Sequence, residues 1–171
     1  MLHNIKLVKQ WADDRGLISD STSKDQFIKC VEEGGEIFEA LLKRDKELLV
    51  DAIGDTLVVL TIICEIEGLG ADKYIKRVRP KNTHSFKSFE SGVISSLNIS
   101  NALEFAAFQG ELARALCEGD PVEGHIIRMV AALNYMCHFT CVDIGECYRI
   151  AYTVIRDRTG RKVDGVFVKD E

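Results

Sequence analysis

The chain has 171 residues, 46% hydrophobic and 29% charged, with a formal net charge of −5. That length suits one domain whose core needs neither disulfides nor a structural metal as staples. The acidic balance, with lysine and arginine scattered singly, argues against an extended nucleic-acid footprint.

Only two prolines occur, Pro80 and Pro121, which favours long uninterrupted helices. No apolar stretch of signal-peptide length opens the chain. The longest apolar run, from Leu57 to Cys64, is interrupted by Thr61 and is too short to span a bilayer. Six cysteines (30, 64, 117, 137, 141 and 147) sit among apolar neighbours, so reduced thiols in a cytoplasmic core are expected. Cys137, His138 and Cys141 offer zinc-binding chemistry but lack a CxxC knuckle, and a packed helix face is the expectation there.

Taken in order, Ile5, Leu7, Val8, Trp11 and Ala12 repeat at helical spacing over residues 3–15, ending at Gly16. Ser21, Thr22 and Ser23 offer N-caps for a second helix reaching about Arg44. A third opens at Asp45–Glu47 and runs to about Glu67, stopping at Gly68-Leu69-Gly70. Residues 71–78 suggest a short fourth helix, and 79–90, without period, a connecting loop. Further helices are expected at about 92–118, 122–141 and 143–158. Asp164-Gly165 between Val163 and Val166 suggests a small hairpin or extended tail. The fold class is all-α, a helical bundle over 1–171 with a short extended C-terminal tail (159–171).

The two halves resemble each other. Residues 36–45 lie on 111–120 without a gap, matching Glu36 to Glu111 and Asp45 to Asp120. Internal duplication is the favoured reading, although two amphipathic helices share apolar periodicity in any case. It makes residues 1–78 an acidic half and 91–158 a repeat that has lost most of its acidic groups. Glu32 and Glu33, for example, fall on Ala107 and Phe108.

That acidic half carries the chemistry. On one helix Glu32, Glu33, Glu36 and Glu39 stand three or four residues apart, and Asp51 and Asp55 form a second pair on the next. Asp55 heads the most apolar run, where a carboxylate must be protonated or matched by cations. Gly34, Gly35 and Gly54 weaken these helices but let backbones or ligands approach. Hard carboxylates without His or Cys suit Mg²⁺. Glu39 alone reads as a solvated surface group. A ferritin-like di-iron site would need Glu-x-x-His, and none of the four histidines has that glutamate. Neither a phosphate-binding Gly-x-x-x-x-Gly-Lys-Ser/Thr loop nor a Gly-x-Ser-x-Gly elbow is present.

Glu32-Glu33-Gly34-Gly35-Glu36 followed by Asp51-Ala52-Ile53-Gly54-Asp55 resembles the MazG-type all-α nucleoside triphosphate pyrophosphohydrolases. Their signature is Glu-Glu-x-x-Glu on one helix and Glu-x-x-Asp on the next. Here alanine, Ala52, stands where the family's second-helix glutamate usually does, and Asp51 is the candidate replacement. Trp11–Arg15, Gln26–Lys29 and the stretches 151–158 and 165–169 are similar to short stand-alone bacteriophage proteins of this type, whereas 71–100 is not.

The resemblance implies Mg²⁺-dependent hydrolysis of a nucleoside triphosphate to the monophosphate and pyrophosphate, with Mn²⁺ as a substitute. It implies metal ligands among Glu33, Glu36, Asp51 and Asp55, catalytic roles for Glu32, Glu33 and Glu36, and substrate contacts from Trp11, Gln26, Lys29, Arg156 and Arg158. Thr153 takes the place of a family asparagine on the last helix. Core packing is the alternative for Trp11, and a surface position at a helix end the alternative for Arg156 and Arg158. Two other functions stay open: a dUTP-specific enzyme of the same superfamily, and a non-catalytic binding protein whose metal site has eroded at Ala52. A homodimer is expected, with neither a membrane nor a nucleic-acid partner.

Overall fold

The structure, a computed structural model, describes residues 1–76, 96–163 and 166–170. The element order is α1 (Leu2–Asp13), α2 (Ser23–Lys43), α3 (Lys46–Ile66), α4 (Ala71–Tyr74), α5 (Ser96–Glu118), α6 (Glu123–Phe139), α7 (Ile144–Ile155), β1 (Gly160–Val163) and β2 (Val166–Lys169). The chain is thus overwhelmingly helical, and its tail closes into a two-stranded antiparallel hairpin pairing Gly160 with Lys169 and Val163 with Val166.

Local chemistry sets the helix ends. Thr22 caps α2 by accepting from the Asp25 amide at 3.2 Å, and the Asp25 carboxylate accepts from the Thr22 amide at 2.8 Å. Arg44 turns the chain in the left-handed region (φ 54°), and Asp45 caps α3 by accepting from the Glu47 and Leu48 amides. That two-residue connection folds α2 and α3 back on each other as an antiparallel pair. Gly119 (φ 77°) turns the chain between α5 and α6, which pack as a second such pair.

Helix α3 is the centre of the fold. Nearly every residue from Ala52 to Cys64 is buried, against α2, α7, α1 and α6. Its two buried hydroxyls are satisfied: Thr56 donates to the Ala52 carbonyl, and Thr61 bonds both the Leu57 carbonyl and the Tyr148 hydroxyl. Helices α2 and α5 run antiparallel. The Gln109 amide donates to the Cys30 carbonyl at 2.7 Å, while Phe105 lies against Gly34.

Three expectations shift. Helix α4 ends at Tyr74, with Ile75 and Lys76 already out of the helix, and residues 77–78, with the loop at 79–90, lie outside the described residues. Helix α7 ends at Ile155, so Arg156 and Arg158 follow the helix instead of riding on it. Four cysteines are buried as free thiols, but Cys117, on the face of α5 turned from the core, and Cys141, in the turn between α6 and α7, are exposed. Cys137 faces Cys147, with the sulfurs 3.8 Å apart, and His138 packs on Phe139. Among the described residues no three His, Cys, Asp or Glu side chains converge at metal-binding distance. No described helix is long and apolar enough to cross a membrane.

Candidate functional site

A cavity of about 490 Å³ opens between α1, α2, α3 and the C-terminal hairpin. Its two poles differ in chemistry. The acidic pole brings Glu32, Glu33 and Glu36 from α2 against Asp51 and Asp55 from α3, with Lys29 and Arg158 beside them. The other pole is apolar, walled by Trp11, Leu17, Val58, Val59 and Ile62 together with Ile155, Phe167 and Val168.

Helical register explains the acidic pole. Asp51 and Asp55 lie one turn apart on the cavity side of α3, while Ala52 is rotated into the core and fully buried. Glu33 is only 7% exposed, so its carboxylate shares a poorly hydrated space with its neighbours. Burial, then the charges of Glu33 and Asp51, push the Asp55 carboxyl up to about 7, with Arg158 opposing and Glu36 adding a little. Glu36 is also held above the ordinary carboxylate range, first by burial and then by Glu33, Asp51 and Glu32, with Lys29 working against the shift. Asp55 Oδ1 is buried and has no hydrogen-bond partner among the described residues.

Lys29 spans the mouth of this pole, its Nζ 2.5 Å from Glu32 and 3.1 Å from Glu33. Burial works against its ammonium, but pairing with Glu32 and Glu33 outweighs it, so the pKa stands above the usual lysine value. One lysine and one arginine face five carboxylates here, so the pole retains an excess of negative charge. The second helical pair is arranged differently. There Glu111 is met by His125 at 3.1 Å and by Arg128 at 3.5 Å, and Arg128 also lies over the Phe108 ring.

At the apolar pole Trp11 is both core residue and cavity wall. It is buried, its ring meets Phe167 edge-on at 5.5 Å, and its Nε1 has no hydrogen-bond partner among the described residues. The Arg15 guanidinium lies 4.8 Å over Trp11 and 5.8 Å over Phe167, and donates to the Arg158 carbonyl at 3.1 Å. Arg15 therefore fastens the C-terminal hairpin to α1. Arg15→Ala should cost about 1–2 kcal/mol locally. The expected readout is faster amide exchange over residues 160–169 with protection of α3 unchanged, and an unaltered hairpin would refute the fastening role.

The remaining sequence candidates fall as follows. Gln26 lines the cavity while its amide donates to Ser21 at 3.0 Å. Arg158 lines the cavity. Arg156 lies outside the lining, with its Nε on Asp157 at 2.8 Å, because the chain has left the helix there. Thr153 is exposed and bonds the Arg149 carbonyl, and Glu39 is exposed beside Lys43. Sequence reasoning missed Leu17, Val58, Val59, Ile62, Ile155, Phe167 and Val168 as cavity walls, and Arg15 behind Trp11. The only sequence signal of the walls is apolarity, which every core residue shares, and Arg15 carries none.

A 61-residue stretch of the chain is 44% identical to the uncharacterized 18.2 kDa protein in the rep-hol intergenic region of Haemophilus phage HP1 (strain HP1c1). The match covers 36% of this chain and 37% of that protein, so the chain has a phage relative over about a third of each length. No protein-family model and no solved structure matches the chain.

Proposed function

We propose that the protein is a Mg²⁺-dependent nucleoside triphosphate pyrophosphohydrolase of the MazG type. The observation that carries this reading is the two-ended cavity: an excess of crowded carboxylates at one end and an aromatic, apolar wall at the other. A nucleotide–metal complex has the complementary halves. Its cation relieves the carboxylates and its base finds apolar surface.

The donor set fits Mg²⁺ in kind, being all oxygen, with Asp55 Oδ1 buried and without a partner. Glu33, Glu36, Asp51 and Asp55 are the residues that would hold it, although no three of them stand at metal-binding distance from one another here, so their side chains would have to close on the ion. Bound Mg²⁺ would draw charge from the phosphate oxygens as it accumulates in the transition state. The protein's own groups do the rest. Lys29 and Arg158 pair with phosphate oxygens, Lys29 exchanging its present carboxylate partners for the substrate. Glu32, outermost of the acidic group, orients the attacking water and accepts its proton. The water oxygen bonds to the α-phosphorus, the bond from that phosphorus to the α,β-bridging oxygen breaks, and pyrophosphate leaves.

Incubation with each common NTP and dNTP plus Mg²⁺, followed by product analysis, tests the reading. Monophosphate and pyrophosphate are expected, with the rate reduced at least 100-fold in Glu36→Gln. Turnover of dUTP alone would narrow the enzyme to a dUTP pyrophosphatase. Release of orthophosphate would mean that a different bond is cut. No turnover with either Mg²⁺ or Mn²⁺ would favour a nucleotide-binding protein without catalysis.

A further inference from the structure

Given the pyrophosphohydrolase reading above, on which this rests, we propose that Lys29 is an internal stand-in for the metal, holding Glu33 until a triphosphate draws its ammonium away. Ion and nucleotide then enter the site together, and the free ion alone is kept out. Helical spacing puts Lys29 three residues before Glu32 and four before Glu33, on one stripe of α2. Its Nζ lies 2.5 Å from Glu32 and 3.1 Å from Glu33. Of the four carboxylates that would ligate the ion, Glu33 is the one that a lysine already occupies among the described residues.

This pairing differs in kind from another lysine–glutamate contact of the same helix. Lys43 and Glu39 are both exposed, and water readily replaces such a contact. Glu33 is buried, so a departing Lys29 strands a carboxylate that water barely reaches. Glu32 offers the ammonium no full escape. It is exposed, and a lysine resting on it alone would still face the incoming dication across Glu33. Lys29 also gives a reason for the spread of the acidic pole. Five carboxylates line it, yet no three converge at metal-binding distance. A Glu33 committed to Lys29 is a ligand withheld from the ion.

The competent form of the site is the fraction of molecules in which Lys29 has left Glu33. Affinity for a free ion is reduced by that fraction. A triphosphate raises it, because its oxygens offer the ammonium charge-assisted hydrogen bonds in place of the carboxylate. Ion and triphosphate therefore favour each other's binding through one side chain, and by linkage each does so to the same degree.

Mn²⁺ serves as the probe on the full chain, its free and bound forms counted by electron paramagnetic resonance. Calorimetry follows its complex with a nucleotide analogue whose α,β-bridging oxygen is replaced by a methylene. Lys29→Met is expected to tighten free Mn²⁺ by about tenfold or more and to weaken the Mn²⁺–analogue complex by about as much. Arg158→Met takes the same charge from the pole but leaves Glu33 its partner, so its effect on free Mn²⁺ should be several-fold smaller. The wild type alone supplies a check that needs no variant: it should bind the complex at least about tenfold more tightly than the free ion. Free-ion affinity unmoved by Lys29→Met, equal tightening by Arg158→Met, or a wild type that binds free ion and complex alike would each overturn the role of Lys29 and leave the pyrophosphohydrolase reading in place. A wild type that binds neither the ion nor the complex would remove that reading, and the role of Lys29 with it.

Discussion

Asp55→Asn is expected to abolish pyrophosphate release and yet leave the metal-free protein more stable than the wild type. The two effects share one cause. Asp55 ionises in the folded protein at about 7, against 3.8 for the ordinary side chain, because it is buried beside Glu33 and Asp51. The native state therefore holds a proton that the unfolded chain has already lost. Stability owed to that proton is complete below about pH 4, falls as the pH rises, and is gone above about pH 7. The span of the shift corresponds to a native-state cost on the order of 4 kcal/mol in the ionised, metal-free state. An asparagine keeps the shape without the charge, so the variant should gain about 2–4 kcal/mol at pH 8 and almost nothing at pH 4. For a chain of this size the gain at pH 8 is a rise in Tm of roughly 5–10 °C. Saturating Mg²⁺ should close most of that gap. At about 100 times its Kd the ion adds about 2.7 kcal/mol to the wild type, whereas the variant, lacking a ligand, gains little. Thermal unfolding of both proteins at pH 4, 6 and 8, with and without Mg²⁺, reads all of this. An asparagine variant less stable than wild type at pH 8 without metal would show that Asp55 is internally compensated and would remove the main support for a cation site.

The same aspartate marks how far the sequence could be read. Helices α2 and α3 were legible because their ends carry local chemistry, Thr22 with Asp25 and then Asp45, and because Leu57–Cys64 announces a buried segment. The acidic pole was legible for a similar reason. Spacings of three and four place Glu32, Glu33 and Glu36 on one stripe and Asp51 with Asp55 on another, and the tight turn at Arg44 brings the stripes together. The apolar pole was not. Trp11 and Phe167 are 156 residues apart and meet only because Arg15 bonds the Arg158 carbonyl, a long-range contact that no local period encodes. Arg156 and Arg158 could not be told apart in the sequence either. Both follow the end of α7 at Ile155, and only the path of the chain there takes Arg158 to the cavity and leaves Arg156 outside its lining.

Gly54→Ala is expected to be among the most destabilising single-methyl changes in the chain, although alanine is ordinarily the better helix former. A Cβ at Gly54 would sit 2.5 Å from the Cys147 carbonyl oxygen and 2.9 Å from the Ala151 Cβ. Both neighbours belong to α7, and the nearer one is backbone, so no side-chain rotation relieves the clash. The helix itself must shift, and with it the Thr61–Tyr148 hydrogen bond and the facing thiols of Cys137 and Cys147. Overpacking of this kind costs typically 1–3 kcal/mol and occasionally more. The intrinsic gain from glycine to alanine, about 1 kcal/mol, offsets part of it. The expected net loss is up to about 2 kcal/mol, and more if the backbone contact puts the cost above that typical range. Gly124→Ala is the matched control, since nothing lies within 4 Å of its Cβ and only the propensity gain applies, up to about 1 kcal/mol. Denaturant melts of the two variants should therefore move in opposite directions from wild type. The effect should also reach the cavity, because α7 leads directly to Arg158 and the hairpin that carries Phe167. Displacing it should weaken the proposed nucleotide binding even where the protein stays folded. A Gly54→Ala protein as stable as the Gly124→Ala control would mean that α7 sits farther from α3, and the apolar wall of the cavity would have to be redrawn.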